Sequence, residues 1–264
     1  MPEKAYDTDL IDAEWEILRP LIPPPARVGR KRTHQIRRIL NGLLYLLRTG
    51  CAWRLLPHDL PPWSAVYYYY ATWRDNGVLT AIHDTLRRRV RVAEGRDEEP
   101  SAAILDSQSV KTTDRGGPHG YDAGKKVNGR KRHLLVDTLG LVIGLLVHCA
   151  DIQDRDGARL LLSRVKAAVP RLKLIWADGG YAGQLVHWVQ TTCQWVLEIV
   201  RRSDPQQGFE VLPRRWVIER TFGWFGKYRR LSKDYEFHTR SSEAMLYLAM
   251  IHIMARRLAP RAIS

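Results

Sequence analysis

The sequence has little cysteine and no long apolar segment. Its three cysteines, Cys51, Cys149 and Cys193, lie far apart and lack the C-x-x-C spacing of zinc and redox sites. This favours a reduced, cytoplasmic protein. The longest apolar stretches, such as LVIGLLV at 141–147, are much shorter than the ~20 residues that a membrane span needs. The N-terminal segment is acidic and polar, which is unlike a signal peptide.

Acidic residues are too few to balance the basic ones. The 264 residues include 42 Lys and Arg against 28 Asp and Glu, a net charge of +14. Residues 1–100 hold 16 basic and 13 acidic side chains, whereas residues 101–264 hold 26 and 15. A chain with this excess most often binds a polyanion, and nucleic acid is the commonest one. Charge alone does not separate an enzyme that acts on DNA from a passive DNA-binding protein.

The first hundred residues have the pattern of helices. The segment 34–50 places six Ile and Leu residues on one helical stripe and stops at a glycine. Further helices are predicted over 12–23, 63–77 and 78–93. Ser64 is the predicted N-cap of the helix that begins near residue 63.

A polar linker at 93–101 ends this region, so we place a domain boundary at residue 100. Residues 1–100 are then an all-α, helix-turn-helix-like DNA-binding domain, and residues 101–264 form a second domain. Sequence-specific contact with DNA is expected from the helices at 34–49 and 63–75, with the segment 27–32 on the DNA backbone. The candidate DNA contacts here are Arg37, Arg38 and Arg74.

Residues 101–264 change to a strand-rich pattern. The predicted order is β-β-β-α-β-α-β-α-α, with a hairpin between the second and third strands at Asp137–Gly140. Three strands in a meander, followed by right-handed crossover units, give a mixed sheet. The fold class is therefore α/β, with a mixed five-stranded sheet flanked by helices.

Two predicted strands lead directly into an aspartate. Asp106 falls on the first strand, and Asp178 falls at the carboxyl end of the fourth. If these strands are parallel neighbours, both carboxylates lie in the crevice where open α/β sheets bind ligands. Two carboxylates so close repel each other unless a cation joins them. Oxygen ligands of this kind suit Mg²⁺ or Mn²⁺.

A third acid would complete such a site. The candidates are Glu198, Glu210, Glu219 and Glu236. Glu219 is preferred because it is the only acid among six basic residues over 214–230, with Arg215 one helical turn before it. Glu198 lies inside a predicted strand and is the second choice.

A basic, glycine-rich stretch follows Asp106. Residues 111–133 hold seven Lys and Arg against two Asp, and five glycines allow close approach of the backbone to phosphate. We expect the loop 112–130 to be mobile without DNA and to become ordered on it. The predicted DNA contacts of the second domain are Lys111, Lys125, Lys126, Arg130, Lys131, Arg132, Arg215, Lys227, Arg229 and Arg230.

Several blocks together resemble bacterial insertion-sequence transposases of the DDE class, in the IS-four/IS-five superfamily and its IS-five-like group. These blocks are DSQSVKT, GYDAGKKVNGRKRH, WADGGYAG and RRWVIERTFGWFGKYRRLSKDYE, with EWEILRPLIPPP and PPWSAVYYYY in the N-terminal region. The resemblance covers nearly the whole chain. It implies a ribonuclease-H-like catalytic domain whose DDE triad falls on Asp106, Asp178 and Glu219.

The superfamily signature around the glutamate is Tyr, two residues, Arg, three residues, Glu, six residues, Lys. Arg215 occupies the arginine position. Leu212 stands at the tyrosine position, and Gly226 stands at the lysine position with Lys227 one residue later. The chain therefore matches the signature at its arginine and glutamate and departs from it at both ends.

The resemblance also implies an activity. Such an enzyme binds the inverted-repeat ends of an insertion sequence, cleaves the DNA and joins the 3′-OH ends to target DNA by two-metal phosphoryl transfer. Two Mg²⁺ or Mn²⁺ ions per site are implied, with Asp106 bridging them and Asp178 and Glu219 binding one each. The implied partners are double-stranded DNA, as transposon ends and target, and further copies of the chain in a homodimer or higher oligomer on DNA. Neither a membrane nor a small-molecule substrate is expected, and the protein would be cytoplasmic and nucleoid-associated.

Two other function classes stay open. A non-catalytic DNA-binding regulator would use the helices at 34–49 and 63–75 but leaves the three acids unexplained. A ribonuclease-H-type nuclease or resolvase, which cuts without joining, leaves the N-terminal region less explained.

Overall fold

The computed structural model describes residues 5–25, 31–200 and 215–260. The α-helices of these residues are α1 (Asp12–Leu18), α2 (Ile36–Thr49), α3 (Trp63–Asp75), α4 (Val78–Ala93), α5 (Asp154–Val165), α6 (Gln184–Trp188), α7 (Trp216–Gly226) and α8 (Thr239–Leu258). The strands are β1 (Ala102–Lys111), β2 (Gly120–Asp122), β3 (Val127–Asp137), β4 (Val142–Cys149), β5 (Leu174–Ala177) and β6 (Val196–Ile199). None of the helices in these ranges is long and apolar enough to cross a membrane.

The N-terminal helices form where the apolar periodicity predicted them. α2 buries its Ile and Leu residues almost completely and ends at Gly50, whose left-handed conformation (φ 73°) suits a residue without a Cβ. α3 starts at Trp63, two residues earlier than a helix capped by Ser64 would start. Pro62 is its N-cap and Ser64 lies inside its first turn, so the prediction of a Ser64 cap was wrong.

The sheet has six strands in the order β2-β3-β1-β5-β6, with β4 also paired to β3. β1 is antiparallel to β3 and parallel to β5, and β5 is parallel to β6. The mixed sheet flanked by helices is thus confirmed, and five of its strands correspond to the five predicted ones. The sixth, β2, forms inside the connection that was predicted as a loop over 112–130, where it pairs with the start of β3.

Alternation along the strands divides the core into two layers. Ile104 of β1 and Trp176 of β5 belong to a cluster that also holds the buried residues of α7 and α8. Ala103 and Leu105, which point to the other face, pack with the buried residues of α5 and α6. Helices therefore cover both faces of the sheet.

The N-terminal helices share the first of these two layers. Leu43 of α2 and Leu86 of α4 lie in the same hydrophobic cluster as Ile104. The Tyr70 hydroxyl donates to the carbonyl oxygen of Ser241 at 2.7 Å, deep in this contact. The helical region thus packs on the sheet face that carries the site described next, while the domain boundary at residue 100 stays a prediction.

Candidate active site

The register of two parallel strands brings Asp106 and Asp178 to the same place. Ile104 of β1 lies opposite Trp176 of β5. Two residues further along each chain stand Asp106 and Asp178, so both lie on one face at neighbouring positions. The Asp106 carboxylate accepts from the Ser107 amide at 2.7 Å, and the Asp178 carboxylate accepts from the Gly180 amide at 2.9 Å. These backbone contacts fix the direction of both side chains.

The third acid reaches this place on α7. Arg215 is the N-cap of α7, and Glu219 lies one turn later on the same face. The Arg215 guanidinium lies 2.8 Å from Oε1 of Glu219 and 3.7 Å from Oδ2 of Asp178. One arginine therefore spans two of the three acids that the sequence singled out.

Burial changes the chemistry of Asp106. Desolvation raises its pKa to about 6, and the negative charge of Asp178 adds to the rise. The Ser107 amide, Lys125 and Arg215 act in the opposite direction on the same pKa. Asp178 and Glu219 are more open, with 37% and 45% of their side chains exposed. The site thus combines a half-buried carboxylate, Asp106, with two more exposed ones that solvent or a ligand can reach.

The donor type of this site fits a hard divalent cation. Three carboxylates offer only oxygen ligands, which is the donor type that Mg²⁺ and Mn²⁺ prefer. Within the described ranges, however, no three His, Cys, Asp or Glu side chains stand close enough together to hold one metal ion. In this conformation the Arg215 guanidinium supplies the positive charge between Asp178 and Glu219.

A polar network behind Asp106 was missed by the sequence analysis. The Lys125 ammonium donates to the Ser107 carbonyl oxygen at 3.1 Å, and the Ser107 hydroxyl donates to Asp154 at 2.9 Å. Asp154 also pairs with Lys131 at 3.1 Å. Ser107 and Asp154 are 47 residues apart in the chain, so no local pattern connects them. The network holds the backbone beside Asp106 and places Lys125 at the edge of the site.

Four of the predicted DNA contacts are buried, and for them the prediction was wrong. Arg130 is fully buried: it donates to the carbonyl oxygens of Pro118, Glu236 and Phe237 and pairs with Asp234 at 3.1 Å. Arg132, buried beside it, donates to carbonyl oxygens that follow α7. These side chains bind the segment between α7 and α8 to β3 and leave no donor face toward solvent.

Lys131 and Arg230 are the other two. Lys131 is 5% exposed and uses its ammonium on the Ile152 carbonyl oxygen and on Asp154. Arg230, also 5% exposed, binds Glu236 through two nitrogens and donates to the Cys51 carbonyl oxygen. Both charges are satisfied inside the protein.

The predicted contacts of the N-terminal region also have partners in the protein. Arg37 pairs with Asp12 at 2.6 Å, and Arg74 pairs with Asp75 at 2.8 Å. Arg38 donates to the Asp59 carbonyl oxygen. α2 is buried along most of its length, which leaves α3 as the helix of that pair with an open face.

Of the remaining predicted contacts, Arg215 pairs with Glu219 and lies near Asp178, and the other five lie at the surface. These five are Lys111, Lys125, Lys126, Lys227 and Arg229, all exposed. Glu198, the second choice for the third acid, lies on β6 and accepts from the Trp176 indole at 3.1 Å. Glu210, Leu212 and residues 27–30 lie outside the described residues.

Comparison with known proteins assigns both regions of the chain to related families. Residues 97–254 match a family described as a transposase DDE domain, and residues 10–83 match a family described as transposases of the IS4/5 family. The chain is 32% identical over 114 residues to an insertion element IS402 protein of 16.2 kDa from Burkholderia cepacia, covering 40% of this chain and 76% of that protein. It is 34% identical over 79 residues to the protein y4sN of Sinorhizobium fredii, covering 30% of this chain and 63% of that protein.

Proposed function

The chain belongs to the DDE transposases of the IS4/5 family, and from that premise we propose that it cuts the ends of an insertion sequence and joins them to target DNA. The observation that carries the proposal is that the acids of β1 and the end of β5 are neighbours, while Arg215 at the start of α7 contacts both Asp178 and Glu219. An arrangement of three carboxylates on a basic protein suits phosphoryl transfer on DNA.

Divalent metal is part of this proposal. DDE transposase domains use divalent metal ions as a class. Asp106, Asp178 and Glu219 would supply the ligands for Mg²⁺ or Mn²⁺, with two ions per site. When bound, such ions activate the attacking oxygen and stabilise the leaving 3′-oxygen. Because Arg215 now neutralises Asp178 and Glu219, metal binding requires that Arg215 release Glu219.

The chain's own residues position the DNA. Lys125 lies 3.1 Å from the carbonyl oxygen of Ser107, the residue after Asp106. A phosphate bound at Lys125 therefore lies beside the carboxylates. Lys126, Lys111, Lys227 and Arg229 extend the same electrostatic surface. They supply contacts that depend on salt and not on base sequence.

The partners follow from the reaction. We propose double-stranded transposon ends and target DNA as substrates, with end recognition in residues 1–100 through the open face of α3. Two ends must be held together for joining, so we propose a homodimer or a higher oligomer on DNA. The place of action is then the nucleoid in the cytoplasm.

A cleavage assay with defined metals tests the proposal. The substrate is a labelled duplex that carries the inverted repeat found beside the gene, with a plasmid as target. We expect nicking and joining in Mg²⁺ or Mn²⁺, binding without cleavage in Ca²⁺, whose longer and looser coordination misplaces the attacking oxygen, and no cleavage in EDTA. Full activity in EDTA would contradict the metal mechanism. Cleavage in Mg²⁺ without any joined product would instead favour a nuclease.

A further inference from the structure

We propose that a cleft between the N-terminal helices and the segment before α8 binds one unpaired nucleotide of single-stranded DNA. The cleft has a volume of about 700 Å³, and its walls include Trp53, Arg54, Trp63, Tyr67, Arg115 and Arg230. Aromatic and guanidinium groups thus dominate the lining. None of these residues belongs to the carboxylate site.

The aromatic wall is built by the start of α3. Trp63 and Tyr67 are one helical turn apart and share a face, with 38% and 41% of their surfaces exposed. Tyr67 rests edge-on against the buried Trp53, at 5.1 Å between ring centroids and 88° between planes. The aromatic wall is therefore supported by the buried Trp53 on its inner side, and its outer side is open to solvent. Aromatic rings held in this way provide stacking surface at little cost in side-chain entropy.

The floor is fixed by Arg230. Its guanidinium binds Glu236 at 2.7 Å and lies 5.9 Å from the Trp53 ring and 5.4 Å from the Tyr235 ring. Because both an acid and two rings hold it, this side chain is preorganised. A ligand entering the cleft meets a surface that is already in place.

The cleft is positively charged, and most of this charge is not neutralised by acidic side chains of the described residues. Its lining contains three arginines and no acid. Arg230 is neutralised by Glu236. Within the part of the chain that the structure describes, Arg54 and Arg115 have no acidic partner, and Arg54 lies 5.6 Å from the Trp63 ring. Two guanidinium groups beside exposed rings are complementary to a phosphate joined to a planar base.

These features favour an unpaired nucleotide over a base pair. In a duplex each base face is covered by its neighbours, so only the base edges and phosphates can be contacted. Trp63 and Tyr67 offer exposed aromatic surface to the cleft, and such surface gains most from a base that has left the stack. Single-strand-binding proteins combine a positive groove with aromatic stacking in the same way, and they tolerate many base sequences.

β1 connects the carboxylate site to the cleft. Thr113 lines it and follows Asp106 by seven residues along and just beyond β1, which corresponds to about 23 Å of extended chain. A strand of DNA that crosses Asp106 can therefore reach the cleft within roughly seven phosphate steps. This inference rests on DNA as the ligand, from the proposed function, but does not need the carboxylates to be catalytic.

Binding of a short single strand to the full chain tests the proposal. The probe is a fluorescein-labelled 12-nucleotide oligothymidylate, with a duplex of the same length in a parallel titration. We expect Trp63→Ala and Tyr67→Ala each to weaken single-strand binding about tenfold. Binding of the duplex of the same length, which lacks the inverted repeat and so does not report end recognition by α3, should weaken less than twofold. Tyr68→Ala is the matched control, since Tyr68 is 63% exposed on the same helix but does not line this cleft.

A conservative variant and a second charge test separate stacking from folding. Trp63→Phe keeps a ring and should retain most of the single-strand affinity, whereas a purely structural loss would follow the melting temperature of Trp63→Ala. Arg115→Ala should reduce the slope of log affinity against log salt for the single strand by about 0.7. Arg89→Ala, an exposed arginine on α4, should leave it unchanged.

The outcomes are distinguishable from those of the proposed function. Equal affinities of wild type, Trp63→Ala and Tyr67→Ala for the single strand would contradict the proposal that this cleft binds an unpaired nucleotide. So would duplex binding by wild type with no single-strand binding, even if ends are cleaved normally. Conversely, a protein that loses single-strand affinity with Trp63→Ala but never cleaves DNA would support the cleft and contradict the transposase proposal.

Discussion

Two pairs of basic residues, four to seven positions apart in the chain, differ in burial: one pair is exposed and the other is buried. Lys125 and Lys126 are exposed in the turn before β3, and Lys125 reaches the backbone beside Asp106. Arg130 and Arg132 lie within β3 and are 0% and 2% exposed. The sequence showed one continuous basic stretch, yet only its first part faces solvent. Positive charge in a DNA-acting protein is thus divided between contacts to DNA and internal crosslinks.

The buried pair has a structural task that serves the site. Arg130 binds Asp234 and the carbonyl oxygens of Glu236 and Phe237, all between α7 and α8. That segment follows directly from the helix that carries Glu219. By tying it to β3, Arg130 fixes the position of α7 over β1. Variants of the buried pair should change stability, and variants of the exposed pair should change DNA binding.

The largest effect is expected at Arg130. Arg130→Ala leaves the 2%-exposed Asp234 without its cation, so the free energy of unfolding should fall by about 3–5 kcal/mol. Urea unfolding of the full chain measures this. Lys126→Ala, at an exposed neighbouring position, should change the same quantity by less than ~0.5 kcal/mol. A stable Arg130→Ala protein that has lost DNA affinity would reverse the roles assigned to the two pairs.

The buried His252 makes the free energy of unfolding depend on pH. Burial lowers the pKa of His252 to about 4, with the charges of Arg256 and Arg48 adding to the fall. The folded state therefore keeps His252 neutral while the unfolded chain, with an ordinary pKa near 6.5, takes up a proton. The stability from this group is complete above pH 6.5 and is lost as pH falls toward 4, about 2–3 kcal/mol in all.

Comparing unfolding free energies at pH 7.5 and 4.5 checks this. His252→Gln should remove roughly that much of the acid-induced loss. His187→Gln, at an exposed histidine of α6, should leave the loss as in wild type. An unchanged pH dependence in His252→Gln would show that its burial carries no such penalty.

The smallest effect on stability, but a clear one on binding, is expected at the exposed pair. Lys125→Ala together with Lys126→Ala should reduce the slope of log duplex affinity against log salt by about 0.9 per lost phosphate contact. Thermal stability should change little, because both side chains are exposed. Lys233→Ala, at an exposed lysine before α8, is the control. An unchanged slope with a lowered melting temperature would make the turn a structural element only.

The sequence alone predicted the parts of this fold that local patterns specify. Alternating and helical periodicity located the strands and helices. Asp106 inside β1 and Asp178 directly after β5 were identified from the apolar residues that precede them. The signature around Glu219 placed it on a helix with Arg215 one turn away, as α7 has it. Each of these features depends on residues that are close in the chain.

Long-range features could not be predicted in this way. The burial of Arg130 depends on carbonyl oxygens more than a hundred residues later, and a basic, glycine-rich stretch has the same composition whether it binds DNA or protein. β2 is only three residues long and exists because β3 offers it a free edge. The contact of Ser107 with Asp154 likewise appears only when the sheet is assembled.

Cleavage by single acid variants tests the central claim most directly, that Asp106, Asp178 and Glu219 form one catalytic site. Asp106→Asn, Asp178→Asn and Glu219→Gln should each lower the rate of end cleavage in Mg²⁺ by at least ~10³-fold and leave duplex binding within about twofold. Glu198→Gln, which keeps an acceptor for the Trp176 indole, should cleave at nearly the wild-type rate. Substantial cleavage by any of the three, or loss of cleavage in Glu198→Gln with activity kept in Glu219→Gln, would contradict the assignment.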